Sequence, residues 1–383
     1  MRKVNQELLI SKIEDRFNQD IENNVINCGA AIVTQNNEVV LDMKRGYVIP
    51  KDMKPIQDRA IFRLASMTKP ITAFAALIQA EKGKISLSDK VSKYLPDFKE
   101  MYVGKLTDDH KVVKDKPAER EIILENLLTH TSGILSEEVG VIQENNISIE
   151  AKQTLASIVD YYGKNIYLSF HPMERAFYSA TGAFNVMSRI IELTSDMPYN
   201  DFLNKYIFEP LEMVDTTFEP TTEQWSRLVP LHSREHEGNI IVNNSKHTFA
   251  DSPLSLHSGG ASLVGTIEDY KNFAECLLNN GTFKGRKIVS ESSIKEMSSP
   301  KLPHLFPGTG HHETWGLGVR VIKDSEVMPK GAFGWSGAYG THFFVDPVNK
   351  ITAIYMKNST YDGGSGAQTA RHFEVDIYTS LIG

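Results

Sequence analysis

β-Rich runs bounded by turn residues at both ends of the chain are the strongest constraint on its fold. Near the start, Cys28–Thr34 and Glu38–Arg45 are β-rich runs broken at Gln35-Asn36-Asn37, which reads as an antiparallel hairpin. Far along the chain the same patterning returns in Trp315–Ile322, Gly331–Gly337, Thr341–Val345 and Ile351–Lys357. Asp346-Pro347-Val348-Asn349 joins the last two runs as a turn. The two ends are therefore expected to share one sheet.

Between and around these runs the period becomes helical. Ile10, Ile13, Phe17 and Ile21 predict an amphipathic helix over Gln6 to Asn23. Leu87–Leu95, Ile122–Leu128, Leu155–Tyr162, Ala183–Leu193, Thr266–Leu278 and Gln368–Leu381 are further helix candidates. Pro210–Phe218 and the polar run His232–His247 read as excursions. The expected class is α+β. Residues 1–83 and 252–383 would form an α/β body with an antiparallel sheet, and 84–251 a mainly helical lobe, with any active site in the cleft between them. A chain of 383 residues can bury a core of that size.

One stretch carries chemistry. In Phe62-Arg63-Leu64-Ala65-Ser66-Met67-Thr68-Lys69-Pro70-Ile71-Thr72 a loop turns into an apolar helix, and the Ser-x-x-Lys spacing puts Oγ and Nζ on one helical face. Pro70 suits a first helical turn, and Ile71, Phe74, Leu77 and Ile78 supply a buried stripe. The helix N-terminus favours an alkoxide at Ser66, and burial of Lys69 would depress its pKa and make it a base. The alternative is an ordinary capping serine with a solvated lysine. Ser292–Lys295 and Ser298–Lys301 repeat the spacing, but among polar neighbours that offer no burial.

Acyl transfer by serine also needs a proton carrier and an oxyanion hole. Tyr178, in Tyr178-Ser179-Ala180-Thr181-Gly182 at a helix start, offers a phenol whose pKa nearby cations would lower; otherwise it is a half-buried interface tyrosine. Gly334-Trp335-Ser336-Gly337-Ala338-Tyr339-Gly340 is a glycine-rich strand edge. The amide of Ala338 could join that of Ser66 in holding an oxyanion, unless the stretch is only a tight hairpin.

Composition limits the rest. A net charge of -7 and the lack of basic runs interleaved with aromatics argue against a nucleic-acid partner. No stretch is long and apolar enough to span a bilayer, and no secretory signal is visible, so a cytoplasmic location is expected. Cys28 and Cys276 read as buried free thiols. Tyr270-Lys271-Asn272 lies in a helical run and reads as structural. The sets His232, Glu235, His236, Glu237 and His311, His312, Glu313 lack helical metal-site spacing, so no metal is expected. His311 and Trp315 are expected to border the cleft, and Asp362-Gly363-Gly364-Ser365-Gly366 reads as a flexible loop.

Taken in order, Ser66-Met67-Thr68-Lys69, Leu127-Leu128-Thr129-His130-Thr131-Ser132-Gly133, Tyr178-Ser179, Pro210-Leu211-Glu212-Met213-Val214-Asp215-Thr216-Thr217-Phe218, Ser258-Gly259-Gly260 and Gly334-Trp335-Ser336-Gly337 resemble the β-lactamase-related serine hydrolases. That group includes class C β-lactamases, penicillin-binding DD-peptidases, D-aminopeptidases and family VIII esterases. The resemblance spans about Ala30 to Asn358. It implies a β-lactamase/DD-peptidase (penicilloyl-serine-transferase) fold, with Ser66 as the acylated nucleophile, Lys69 as its base partner and Tyr178 as proton shuttle. It further implies Trp335, Ser336 and Gly337 as the third motif, the Ser66 and Ala338 amides as oxyanion hole, and no cofactor.

Two departures from the family pattern point toward its esterase branch. Ala180 stands where many members have an Asn that contacts an acylamino side chain, and Trp335 replaces a Lys that meets a substrate carboxylate. A site without both should take small uncharged esters or amides rather than a β-lactam or a D-amino-acid peptide. β-Lactamase or peptidase action, transacylation, and a non-catalytic binding or sensor role are the competing readings.

Overall fold

The computed structural model describes residues 1–235, 240–304 and 306–383. Its centre is an eight-stranded antiparallel sheet made from both ends of the chain. The N-terminal part gives β1 (Cys28–Gln35), β2 (Glu38–Ile49) and β3 (Lys54–Pro55); the C-terminal part gives β4 (Glu313–Trp315), β5 (Arg320–Ile322), β6 (Phe333–Ser336), β7 (His342–Asp346) and β8 (Ile351–Met356). The spatial order is β4-β5-β6-β7-β8-β1-β2-β3, so the ends meet where β8 pairs with β1. The β1–β2 hairpin turns at Asn36 and Asn37, both left-handed, the conformation a tight two-residue hairpin requires. The β7–β8 turn is fixed by Asp346, whose carboxylate accepts the amides of Val348 and Asn349.

Two apolar layers flank the sheet. On one face α1 (Gln6–Glu22) and the C-terminal helix Gln368–Tyr378 bury Leu9, Ile13, Phe17, Phe373 and Ile377 against Ala31, Val33, Ala353 and Tyr355. The stripe of α1 runs through Leu9 rather than Ile10, which is exposed. On the other face lies α2 (Thr68–Glu81), whose side chains are buried on every side from Thr68 to Gln79, not along one stripe. It packs between the sheet-covering helix Ile267–Leu278, where Phe74 and Phe273 meet edge to face at 5.5 Å, and the helix Gly182–Ser195. One buried cluster thus runs from the sheet through α2 into the helices of the middle segment.

The middle segment differs from the sequence reading in two ways. Leu87–Leu95 is not an α-helix but a chain of turns with a 3-10 turn at Val91–Lys93, because Asp89 accepts from the Ser86 amide, the Tyr94 hydroxyl and Lys93. Such local side-chain bonds compete with a helix. Two hairpins also occur there, Tyr102–Leu106 with Val112–Pro117 and Leu231–Arg234 with Ile240–Asn243. Trp315–Ile322, expected as one strand, is divided into β4 and β5, which pair with each other around Gly316 and Gly318. Cys28 and Cys276 are buried free thiols. No helix among the described residues is long and apolar enough to cross a membrane.

Candidate active site

Ser66 sits in a 3-10 turn, Ala65–Met67, immediately before α2. Ala65 is held at φ 45°, a left-handed backbone that costs a non-glycine residue about 1–2 kcal/mol and is met where a site is over-determined by its surroundings. The surroundings are visible: Met67 N–H bonds to Leu64 O, Leu64 N–H to Leu263 O, and the Tyr270 hydroxyl to Met67 O at 2.9 Å. Tyr270 is thus a structural clamp on the serine turn, as the helical setting of Tyr270-Lys271-Asn272 suggested.

Lys69 is fully buried. Its Nζ lies 3.2 Å from Ser66 Oγ, 2.5 Å from Ala180 O and 2.9 Å from Gly260 O. Burial lowers its pKa to about 7, against a smaller opposing pull from Glu144. Nζ donates to both carbonyls and to Ser66 Oγ, the three-donor pattern of an ammonium; once the proton is lost, the freed lone pair is the one that faces the serine hydroxyl. Gly259 and Gly260 permit this approach: a Cβ on Gly259 would lie 1.8 Å from Ser188 Oγ, and one on Gly260 2.8 Å from Thr181 Cα.

Tyr178 donates its hydroxyl to Ser66 Oγ at 2.6 Å. The phenol is enclosed by rings, with His130 at 4.6 Å, Trp335 at 5.5 Å and Trp315 at 6.2 Å between centroids. The expected lowering of its pKa does not occur. Burial raises it to about 12, and the bond to Ser66 offsets only part of that. Desolvation of the phenolate outweighs the hydrogen bonding that would lower the value. His130 is buried with Nδ1 accepting the Ser179 amide at 3.1 Å, and burial holds its pKa well below the ordinary value. It is therefore a neutral spacer that fixes the tyrosine loop.

Ser66, Tyr178, Trp335, Ser336 and Ala338 line one cavity of about 400 Å³. These five residues, singled out from separate stretches of the sequence, thus line the same cavity. Gly337 lies against the serine turn so closely that a Cβ there would be 2.3 Å from Leu64 O. Ala180 contributes its carbonyl to Lys69, and its methyl leaves no polar group where an Asn would stand. Trp315 borders the cavity as expected, but His311 does not; Glu313 and Thr314 take that wall. The loop Asp362–Gly366 is not a free glycine loop. Gly364 donates to Gly337 O at 2.9 Å, Asp362 pairs with Lys357, and Gly364 and Ser365 line the cavity.

Sequence reasoning missed Phe177, Gly308, Thr309 and Arg320, which also line it. Trp335 does stand where the family pattern has Lys, and a different cation, Arg320, belongs to the cavity lining. Its guanidinium is engaged by Glu374 at 2.6 Å and Glu313 at 3.5 Å. Among the suggested metal residues, His232 Nε2 lies 3.1 Å from Val48 O and His312 Nδ1 3.0 Å from Asp324 O; His236 and Glu237 lie outside the described residues. Among the described residues no three His, Cys, Asp or Glu side chains converge on a point.

A Ser-x-x-Lys turn facing a tyrosine across a cleft, beside the third strand motif of an antiparallel sheet, defines the penicillin-recognising serine enzyme fold. The Beta-lactamase family model matches residues 13–375, and the chain belongs to that family. Protein Rv1367c of Mycobacterium tuberculosis is 28% identical over 355 residues, covering 86% of this chain and 85% of that protein. Esterase EstB of Burkholderia gladioli is 26% identical over 395 residues, covering 94% of this chain and 93% of the esterase. The structure of EstCE1, a hydrolase with promiscuous acyltransferase activity, superposes with a TM-score of 0.80 at 22% identity over 97% of this chain and 99% of that one.

Proposed function

We propose that the chain is a serine hydrolase of small carboxylic esters or amides that works through an acyl-enzyme on Ser66. The observation that carries this reading is the hydrogen-bonded set Lys69 Nζ, Ser66 Oγ and Tyr178 Oη, with Lys69 buried and its pKa lowered to about 7. Lys69 is the base that takes the Ser66 proton as Oγ attacks the acyl carbon. The carbonyl electron pair moves to oxygen, held by the Ser66 and Ala338 amides. Collapse breaks the bond to the leaving group, whose oxygen or nitrogen takes a proton from the Tyr178 hydroxyl; the Lys69 ammonium restores that proton. Water then repeats the sequence with Ser66 Oγ as the leaving group, so acid and alcohol or amine are released and the enzyme is unchanged.

The likeness to esterase EstB and to EstCE1 favours esters, as do two local features. Ala180 offers no side-chain amide to an acylamino group, and Trp335 presents an aromatic wall with Trp315 and Phe177. We place the reaction in the cleft between a sheet-bearing body, 1–83 and 252–383, and the segment 84–251. Hydrolysis of p-nitrophenyl butyrate by the purified protein, lost in Ser66→Ala, is the expected outcome. Rapid turnover of a chromogenic cephalosporin with poor ester hydrolysis would favour the β-lactamase or peptidase alternative, and turnover of neither would favour a binding module.

A further inference from the structure

Behind one wall of the cleft runs a second hydrogen-bonded chain that the acyl transfer leaves unused. Ser336 and His342 are cross-strand partners on β6 and β7, both buried, with Ser336 Oγ 2.8 Å from His342 Nδ1. The other ring nitrogen, Nε2, stands 3.1 Å from Glu374 Oε1 on the C-terminal helix, an ion-pair distance without an ideally aligned hydrogen bond. That same oxygen accepts Arg320 Nη2 at 2.6 Å. Burial disfavours the Glu374 carboxylate, but His342 and the Arg320 guanidinium outweigh it and hold the pKa at about 2.

An ionised carboxylate beside Nε2 requires the ring proton there, because a nitrogen lone pair facing it would be repelled. With the ring proton on Nε2, Nδ1 is a bare lone pair, and it takes the proton of the Ser336 hydroxyl. Ser336 consequently turns only lone pairs toward the cleft. The charges beside it act in the same direction: Arg320 and Glu313 share this end of the cavity, and one guanidinium stands between two carboxylates, Glu374 and Glu313.

We propose that the end of the cleft bounded by Ser336, Glu313 and Arg320 is a subsite for an uncharged or cationic hydrogen-bond donor on the substrate, a hydroxyl or an amino group. His342 and Glu374 are positioning residues that fix Ser336 Oγ as its acceptor. A substrate carboxylate would meet lone pairs and surplus negative charge. A methyl ether would leave the buried acceptor unpaired, which a site built for a donor penalises heavily. The inference rests on the hydrolase reading and names the substrate feature that site selects.

The test is a matched series of p-nitrophenyl esters of medium-chain acids ending in hydroxyl, methoxy or carboxylate, with p-nitrophenyl butyrate as reference, assayed at about pH 8, where the Lys69 base is free. The wild type should prefer hydroxyl over methoxy by about tenfold in kcat/KM and use the carboxylate least. His342→Phe removes the Nδ1 acceptor and frees the Ser336 proton to face the cleft. The hydroxyl-to-methoxy ratio should fall toward one and the carboxylate ester should gain on both. Butyrate turnover reports whether that variant is folded; if it is not, Ser336→Ala, which leaves His342 and Glu374 paired, must collapse the same ratio. Equal use of hydroxyl and methoxy esters, preference for the carboxylate, or an unchanged ratio in an active His342→Phe enzyme would overturn the subsite. Butyrate hydrolysis without the hydroxyl preference removes this inference alone, whereas no butyrate hydrolysis removes the hydrolase reading with it.

Discussion

Lys69 Nζ lies 3.2 Å from Ser66 Oγ, and its remaining contacts go to the Ala180 and Gly260 carbonyls. The lysine is thus held one hydrogen bond from the serine hydroxyl, where loss of its proton turns a lone pair on Ser66. Its pKa, lowered to about 7 by burial, fixes the sign of the pH dependence. Below that value Lys69 is an ammonium and cannot accept a proton; above it the base is free. kcat/KM for p-nitrophenyl butyrate should rise through about pH 7. It should then stay level well into the alkaline range, since Tyr178 keeps its proton up to about pH 12. A profile that falls between neutral pH and pH 9, measured with correction for spontaneous hydrolysis, would contradict the lysine-base assignment.

Removal of the base should cost nearly as much as removal of the nucleophile. For Lys69→Ala we expect kcat/KM to fall by about 10³-fold or more, close to the loss in Ser66→Ala, because residues that act as a unit are not additive. The double variant should be little worse than either single one. A double variant whose loss equals the product of the two single losses would show that the residues act independently.

Tyr178→Phe keeps the ring between His130 and Trp335 and deletes only the hydroxyl bonded to Ser66. The thermal midpoint should move little, while the rate should drop by about 10²–10⁴-fold, the usual contribution of a positioned proton carrier. The loss should be smaller for esters with acidic leaving groups, which need less protonation. Wild-type rates with an alkyl ester would contradict the shuttle role.

The sheet was legible because short β-rich runs between turn residues are a local signal, present even where the partner strands stand at opposite ends of the chain, as β1 and β8 do. Both of these strands are buried throughout. The serine turn was legible too, since spacing, an apolar helix and nearby Pro70 are all local. Burial of α2 on every face was not, because it depends on two helices from distant segments. The charge wall was equally hidden: Arg320 and Glu374 meet at 2.6 Å although they lie far apart in sequence. His342 could have been found, as it stands opposite Ser336 once β6 and β7 are paired as a hairpin. The phenol shift was misjudged because sequence shows neighbouring charge but not desolvation, and desolvation dominates. The hairpin Tyr102–Leu106/Val112–Pro117 carries Lys105, Lys114 and Lys116 within its strands, so it lacks an apolar run to mark it.

Gly337 tests how the strand edge holds the serine turn. A methyl at this position would lie 2.3 Å from Leu64 O, a backbone atom that cannot rotate away. Gly337→Ala should push β6 from the Ser66 turn and displace the Ala338 amide. Activity should fall by at least about tenfold, because ångström-scale misplacement of catalytic groups is costly. Unchanged kcat/KM would show that the third motif does not position the oxyanion site.

Substrate class can be shifted at the two departures. Ala180→Asn with Trp335→Lys restores a side-chain amide and a positive charge, and we expect slow penicilloylation of Ser66 that the wild type lacks. Mass spectrometry after incubation with benzylpenicillin would detect it; identical behaviour of wild type and double variant would count against the roles given to Ala180 and Trp335.

The account stands or falls on Ser66 as the acylated atom. Intact-protein mass spectrometry after treatment with a fluorophosphonate, followed by peptide mapping, reads it directly. One phosphonyl adduct on Ser66, absent in Ser66→Ala and slowed in Lys69→Ala, is the predicted result. An adduct on another residue, or none at all on the folded protein, would contradict it.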